Sequence, residues 1–445
     1  FLDVPQSQVH DIPVDRLPLN QNGKIDLPAA QAAMDAALKK AAPAQNEPGG
    51  AGLSPETVMS IFRRQFPGAT ITPETSFQSL GGTSNDFVDV ELALEAAGLD
   101  MPSNWQAYSI ANLAQRVSDV APSDRPVAPD YASARVVCTL LVVLLHVVGF
   151  NSQSGLELPP DALLHRINDW LDPLRMPMFA FLAGFSFWTM DTPANAPGSF
   201  VRTLLGTLLI PTVIAMTAFA GLSTVVGTAF AIRSPGDALA LLYLPYAHFW
   251  FIMTLTLMLI TSYLLFRYWP RAPQIPFVLL AAIFLLVYQA YVPSNPWAIN
   301  RVFDLLPIFV VGYFYAQHWE HIFGQYRRTV LACAALVIVV LSIIPPDRFG
   351  PLSELAALLL SLGMIALCLG FAGRIPRLRW LAPYAFFIYL WHILGTSGMR
   401  RVLEGLGVDQ LPVMVIAGVL AGTLFPVVLY HVLGYLPGGR VVRGK

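Results

Sequence analysis

Apolar residues are unevenly distributed along this chain. Up to about residue 127 the sequence has the mixed polar and apolar character of a soluble protein, and this part holds all but one of the lysines. Beyond it lie apolar runs of about 20 residues, the length that a helix needs to cross a bilayer. We predict ten membrane spans, near residues 133–150, 171–190, 201–230, 248–267, 275–292, 301–319, 329–344, 353–372, 380–397 and 411–433. The predicted fold class is therefore mostly α, a small helical unit followed by a polytopic bundle.

The composition agrees with a membrane protein. Of the 445 residues, 55% are hydrophobic and only 12% are charged, and the formal net charge of −1 argues against a nucleic-acid partner. The three cysteines lie inside apolar runs, with no spacing typical of a disulfide or a metal site. Arginines are more numerous in the segments that are cytoplasmic if the chain starts inside. We therefore expect a multi-pass protein of the cell inner membrane, with both termini in the cytoplasm.

Two ionisable side chains lie in the first span, at Arg135 and His146. Eleven residues advance a helix by about three turns, roughly 16 Å, so both side chains lie on nearly the same face. Ionisable residues in a membrane span often have a function, although an interfacial arginine with a structural histidine is an equally good interpretation. The spacing resembles the Arg-X10-His signature of the acyltransferase-3 family of membrane proteins.

Further segments also resemble that family, and together they cover about residues 131–436. They are Arg175-Met-Pro-Met-Phe-Ala-Phe-Leu-Ala-Gly-Phe185, Arg202 ahead of Leu209-Ile-Pro211, His248-Phe-Trp-Phe251, and Ile388-Tyr-Leu-Trp-His392. The resemblance implies catalytic roles for His146, Arg135 and Arg175, and substrate binding by Arg202, His248, Trp250 and His392. The predicted topology places His146, Arg175, His248, Arg301, Asp304 and His392 towards the outer side. Two alternatives stay open, because His248 and Arg301 also suit interfacial anchors and His392 suits a structural histidine.

These residue types suit acyl transfer. A buried histidine stays neutral and can accept a proton, as a general base must. Neighbouring arginines can stabilise an oxyanion or bind a phosphate. His146 is therefore the predicted general base, and Arg135 is predicted to bind the donor.

The first 40 residues contain Leu17-Pro-Leu-Asn-Gln-Asn-Gly-Lys-Ile-Asp26. This stretch resembles the closing motif of the adenylation domains of nonribosomal peptide synthetases. The resemblance implies a short α+β remnant in residues 1–40, in which Lys24 contacts an acyl-adenylate only when the rest of the adenylation domain is present. We expect that domain upstream in a longer protein, and we expect no substrate activation by these residues alone.

Residues 53–120 contain a second motif, Phe77-Gln-Ser-Leu-Gly-Gly-Thr-Ser-Asn-Asp-Phe87. It resembles the signature of peptidyl carrier domains, and the resemblance implies a four-helix carrier in which Ser84 bears 4′-phosphopantetheine, attached by a phosphopantetheinyl transferase. Thr83 and Asn85 depart from the usual pattern, and a capped turn is the alternative interpretation. Ser54 and Pro55 predict a helix start, and residues 121–130 a linker.

The two parts together predict a membrane acyltransferase. It transfers a carrier-tethered acyl or aminoacyl group to a hydroxyl or amine of a small molecule, lipid or glycan. In one alternative, the membrane domain acylates a carrier-bound amine from acyl coenzyme A. In another, the bundle is a transporter or flippase with a carrier appendage, although its halves show no self-similarity.

Overall fold

The computed structural model is mostly helical. It describes residues 54–66, 69–80, 84–97, 99, 105–115, 131–149, 155–189, 192, 196–268, 296–319, 326–372 and 376–444. Among these residues there is no strand, only one isolated antiparallel bridge between Ser76 and Ser109. The predicted mostly helical fold class is confirmed. The predicted remnant at 1–40, the linker at 121–130 and the span at 275–292 lie outside the described residues.

The described residues of the N-terminal part form three α-helices around one apolar core: α1 (Pro55–Gln65), α2 (Ser84–Ala96) and α3 (Ile110–Gln115). Helix α1 begins as predicted, because the Ser54 side chain accepts a hydrogen bond from the Thr57 amide at 3.2 Å. The core residues are Val58, Phe62, Phe77, Val90, Leu94, Trp105, Ile110 and Leu113. Helix α2 begins at Ser84, the residue to which the resemblance assigns the arm. The carrier assignment itself stays a prediction.

The remaining helices form the bundle. They are α4 (Tyr131–Val148), α5 (Leu163–Trp170), α6 (Asp172–Thr189), α7 (Pro197–Thr203), α8 (Ile210–Val226), α9 (Pro235–Ala240), α10 (Trp250–Tyr268), α11 (Ile299–Trp319), α12 (Arg327–Ile343), α13 (Ser353–Ala372), α14 (Ala385–Gly405), α15 (Leu411–Gly434) and α16 (Gly439–Val442). Nine of the ten predicted spans coincide with helices of the described residues.

Six segments of the described residues are long and apolar enough to cross a membrane: Tyr131–Val148, Pro197–Val226, Ala247–Tyr268, Pro296–His318, Ser353–Phe371 and Leu411–Gly434. The other three predicted spans correspond to α6, α12 and α14, helices of 17 to 21 residues. Large apolar side chains are exposed on the outside of the bundle, such as Val225, Leu336 and Ile343. A helix bundle that is apolar on its outside fits a lipid environment.

The third span is continuous but irregular. A π-helical segment, Leu204–Leu209, joins α7 to α8 just before Pro211. Proline has no amide hydrogen, and its ring crowds the carbonyl four residues earlier, so the helix has to widen or bend there. The Thr207 hydroxyl donates to the Thr203 carbonyl at 2.8 Å, and the Thr212 hydroxyl donates to the Leu208 carbonyl at 2.7 Å. The irregularity beside Pro211 is therefore a local widening within one long helix.

Glycines allow two helix pairs to pack closely. A Cβ on Gly184 of α6 would collide with the Phe309 carbonyl of α11, and a Cβ on Gly312 would collide with the Phe181 carbonyl. In the same way, Gly395 of α14 lies against the backbone of α15. Small residues are the usual means of such contact in membranes. Gly184 belongs to the motif that begins at Arg175, so part of that motif serves packing.

Helix α2 contacts the bundle at the end where α4 begins. Phe87 packs against the apolar cluster that includes Ala132, Val136 and Leu381. The negative charges of Glu91 and Asp89 on α2 interact electrostatically with the half-buried Arg135 of α4. Helix α2 therefore has an apolar contact with the bundle and an electrostatic interaction with Arg135.

We expect the loop between α4 and α5 to face the outside of the cell, because the arginine distribution places both termini inside. Asp161 lies in this loop and is exposed. In intact cells, Asp161→Cys should react with a membrane-impermeant thiol reagent above the background of the wild-type chain. Arg440→Cys, an exposed position near the C-terminus, is the matched control and should react only after lysis. The reverse pattern would contradict the topology.

Candidate functional site

A cavity of about 1030 Å³ opens at the end of the bundle where α4 ends and α6 begins, which we name the cavity end. Its walls come from the last turns of α4 and α8, the first turns of α6, α10 and α11, and the second half of α14. The volume is that of a small-molecule site or somewhat larger. Three of the predicted site residues line it: His146, His248 and Trp250.

Three histidine rings meet at this cavity. The centroid of His392 lies 4.7 Å from that of His146 and 5.0 Å from that of His248, while His146 and His248 are 6.1 Å apart. His248 and His392 are buried, and His146 is half-buried. The rings come from α4, from the turn before α10 and from α14. The predicted topology places all three histidines towards the same side of the membrane. The structure brings their rings together.

The hydrogen bonds of His392 and His146 define which ring nitrogens carry a proton. His392 Nδ1 lies 2.8 Å from the Tyr389 carbonyl, so this nitrogen donates and Nε2 of the neutral ring has a lone pair. His146 Nδ1 lies 2.9 Å from the Val142 carbonyl and 3.1 Å from His392 Nε2, both of which are acceptors. His146 Nδ1 therefore donates, and the lone pair of a neutral His146 is on Nε2.

His248 is held by helix α14 from two sides. Its Nε2 donates to the Leu390 carbonyl at 3.2 Å, and the Tyr389 hydroxyl donates to its backbone carbonyl. Its Nδ1 is buried and has no hydrogen-bond partner in the described structure. In a neutral ring this nitrogen has the lone pair, so His248 can accept a proton or a hydrogen bond from a molecule in the cavity.

Two strained turns position the residues at the cavity end. Ala247, directly before His248, has a φ of 47°, and Trp297 and Ala298, before α11, have φ values of 55° and 50°. Residues other than glycine adopt this conformation at a cost, and such strain is concentrated at functional sites. The Trp297 amide donates to the Tyr243 carbonyl at 2.7 Å, which ties the second turn to the segment before α10.

Arg175 is buried at the cavity end, but its guanidinium is engaged by neighbouring residues. Nη2 donates to Asn168 Oδ1 at 2.6 Å and to the Asn168 carbonyl, and Nη1 lies 3.3 Å from the Asp172 carboxylate. Asn168 in turn donates to the Gly149 carbonyl at 3.0 Å. Arg175 therefore connects α5, α6 and the end of α4. Its Nε is buried and has no partner among the described residues, and its predicted catalytic role stays a prediction.

The other predicted residues lie elsewhere. Arg135 and Arg202 are at the opposite end of the bundle, Arg135 beside α2 and Arg202 exposed on α7. The side chain of Ser84 and all of Lys24 lie outside the described residues. Their predicted roles in donor binding, arm attachment and adenylate contact therefore stay predictions.

Among the cavity-lining residues that were not predicted from the sequence, those with the most evident chemistry are Tyr389, Arg400 and Arg401. The two arginines lie two turns beyond His392 on α14, towards the cavity end. A pair of arginines eight and nine residues after a buried histidine was the available signal. Tyr389 lay within the motif that ends at His392, but its hydroxyl contact with His248 depends on a different helix.

The site can carry out proton-transfer chemistry. A histidine with its free nitrogen at a cavity wall and its other nitrogen held by an acceptor is the arrangement of a general base with an orienting partner. Among the described residues, no group of His, Cys, Asp and Glu side chains is arranged to hold a metal ion.

The family model for the acyltransferase domain called acyltransferase-3 matches residues 131–431, more than half of the chain. No curated protein and no solved structure matched this chain. The matched range includes the whole cavity and all three histidines. The chain therefore belongs to the acyltransferase-3 family, and it is a membrane acyltransferase.

Proposed function

We propose that this protein transfers an acyl or aminoacyl group, carried as a thioester on Ser84, to a hydroxyl or amine acceptor bound in the cavity. The observation that carries this proposal is His146 at the cavity wall, hydrogen-bonded to the buried His392 behind it. The pair supplies a base, and the cavity supplies room for an acceptor. Family membership favours this reaction over transport without chemistry.

His146 does the acid–base work in this mechanism. Its Nε2 takes the proton from the acceptor while the acceptor's electron pair attacks the acyl carbonyl carbon. When the bond from carbonyl carbon to sulfur breaks, the same proton passes from His146 to the departing sulfur, and the ring becomes neutral again. Atoms and charges balance without a further reactant. A positioned base of this kind typically contributes about 100- to 10,000-fold in rate.

His392 positions the base and stabilises its charged form. When His146 is protonated on Nε2, its Nδ1–H still donates to His392 Nε2, which stays neutral because its own proton is on Nδ1. Hydrogen bonds of a charged donor are stronger than those between neutral groups. The contact therefore strengthens as the proton is transferred.

The donor is proposed to arrive at the opposite end of the bundle. A 4′-phosphopantetheine arm on Ser84 would supply the acyl group as a reactive thioester on a flexible tether. The packing of Phe87 and the electrostatic interaction of Asp89 and Glu91 with Arg135 support this route, because they lie on the helix that begins at Ser84. A guanidinium suits a phosphate by bidentate contact, and tethering raises the effective concentration of the donor.

A single-turnover experiment tests the proposal. The full chain is reconstituted in nanodiscs, its carrier is loaded with an acyl thioester, and intact mass is followed after candidate acceptors are added. Loss of the acyl mass with formation of acylated acceptor supports the proposal. Acylation of a carrier-bound amine by added acyl coenzyme A would support the reverse direction. With the chain reconstituted in sealed vesicles instead, a thioester that persists while the acceptor crosses the membrane would support a transporter.

A further inference from the structure

Three arginines converge on the cavity end from two helices. Arg301 begins α11, and Arg400 and Arg401 lie on α14 beyond His392. The guanidinium of Arg301 lies over the Trp250 ring, 5.5 Å from the ring centroid. All three side chains line the same cavity as His146, although they belong to elements far apart in sequence.

These positive charges are only partly balanced. Arg301 lies 3.4 Å from Asp304 and Arg400 lies 3.8 Å from Glu404, and these ion pairs are partly exposed to solvent. Among the described residues, no carboxylate forms an ion pair with Arg401, and Asp172 is the only acidic residue in the cavity lining. Arg400 Nη1 also donates to the Gly155 carbonyl, which fixes this side chain at the cavity rim. Exposed ion pairs contribute little, so Arg301 and Arg401 can turn towards a bound anion at small cost.

The rest of the cavity wall is largely apolar. Its apolar lining includes Phe219, Leu222 and Val226 of α8 and Ile393 and Leu394 of α14. A ligand that fills this space therefore has an apolar part against these side chains. An anionic group of the same ligand would meet the arginines.

We propose that the acceptor is an anionic amphiphile, with a phosphate or carboxylate held by Arg301, Arg400 and Arg401 and an apolar part packed along α8 and α14. That this ligand is the acceptor rests on the proposed acyl transfer. The binding site itself is inferred from the positions of the cavity residues alone. Guanidinium groups bind phosphate and carboxylate in bidentate fashion, and charged hydrogen bonds are the strong ones. Contact between the anion and the arginines would orient the acceptor's hydroxyl or amine within reach of His146.

Equilibrium binding tests the site without turnover. The full chain in nanodiscs of neutral lipid is titrated calorimetrically with dihexanoyl phosphatidic acid, with decanoate, with neutral dihexanoylglycerol and with inorganic phosphate. The anionic amphiphiles should bind at least about tenfold more tightly than the neutral one, because each charged hydrogen bond is worth about a factor of ten or more. Added salt should weaken only the anionic probes.

Substitutions test which arginines hold the anion. Arg400→Gln with Arg401→Gln should remove the preference for anions, and the exposed Arg401→Gln alone should reduce it. Arg166→Gln, which changes an exposed arginine on α5 outside the cavity lining, should keep the preference.

Equal affinity for charged and neutral amphiphiles, or a preference that survives the double substitution, would overturn the proposal. So would tight binding of inorganic phosphate alone, which would indicate a site for a free anion. Anion-selective binding without any acyl discharge would uphold this inference and refute the proposed transfer.

Discussion

Replacing His146 with alanine is expected to lower the rate of acyl transfer by about 100- to 10,000-fold, the usual loss when a general base is removed. The chain should still fold, because the side chain is half-buried at a cavity wall and its deletion leaves space that is continuous with the cavity. Carrier loading should be unchanged, because it depends on Ser84. The acyl thioester should therefore accumulate without discharge.

The measurement is single-turnover discharge followed by intact mass. His318→Ala is the matched control, since it removes an exposed histidine at the end of α11 far from the cavity lining. It should discharge at the wild-type rate. Discharge by the His146 variant at near wild-type rate would show that the histidine is structural and that another group is the base.

The same experiment separates a positioning role of His392 from a merely structural one. His392→Ala removes one of the two acceptors of His146 Nδ1 and leaves the Val142 carbonyl. It should slow discharge by about tenfold, the lower end of the value of one hydrogen bond to a charged group. His392→Gln keeps an acceptor oxygen and should retain more activity. In a chain that already lacks His146, the alanine change at His392 should cost nothing further, because coupled residues are not additive.

Much of the fold could be predicted from the hydrophobic pattern. An apolar run long enough to cross a membrane forms a helix regardless of which helices pack against it. Every backbone hydrogen-bonding group in lipid must be paired within the helix. Pro211 indicates where the helix becomes irregular but not which irregularity forms, because a bend and a π-helical segment both accommodate a missing amide hydrogen. The start of α1 was predictable from Ser54, because capping is a local interaction.

The candidate site was only partly predictable. The residue types and the side of the membrane indicated that His146, His248 and His392 belong together. Which nitrogen points at which acceptor depends on how α4, α10 and α14 cross, and this information is not local in sequence. Arg175 is an example. Its motif indicates a functional arginine, but the motif does not reveal that the guanidinium donates to Asn168 of the preceding helix. The electrostatic interaction of Glu91 with Arg135 could not be predicted either, because the two residues belong to separate parts of the chain.

Replacing Ser84 with alanine is expected to abolish both the attachment of the arm and every transfer that depends on it. An alanine has no hydroxyl to take the phosphate, so the effect is complete loss rather than a reduced rate. The position is suitable, because α2 begins at Ser84 and the positive end of a helix dipole favours a phosphate. The contacts of Phe87 beside Arg135 lie on the same helix and should persist, so the variant should fold and dock as the wild type does.

Incubation with coenzyme A and a phosphopantetheinyl transferase, followed by intact-mass measurement, checks this expectation. The wild type should gain the mass of the arm, and the Ser84 variant should gain nothing. Ser60→Ala is the matched control, because it removes an exposed hydroxyl of α1 whose one contact is with the Thr57 carbonyl at 2.7 Å. It should gain the arm as the wild type does. An unmodified wild type, or an equal gain in the Ser84 variant, would refute the carrier assignment. The acyltransferase would then have to take its donor as a free thioester, because the bundle and its histidine pair do not depend on Ser84.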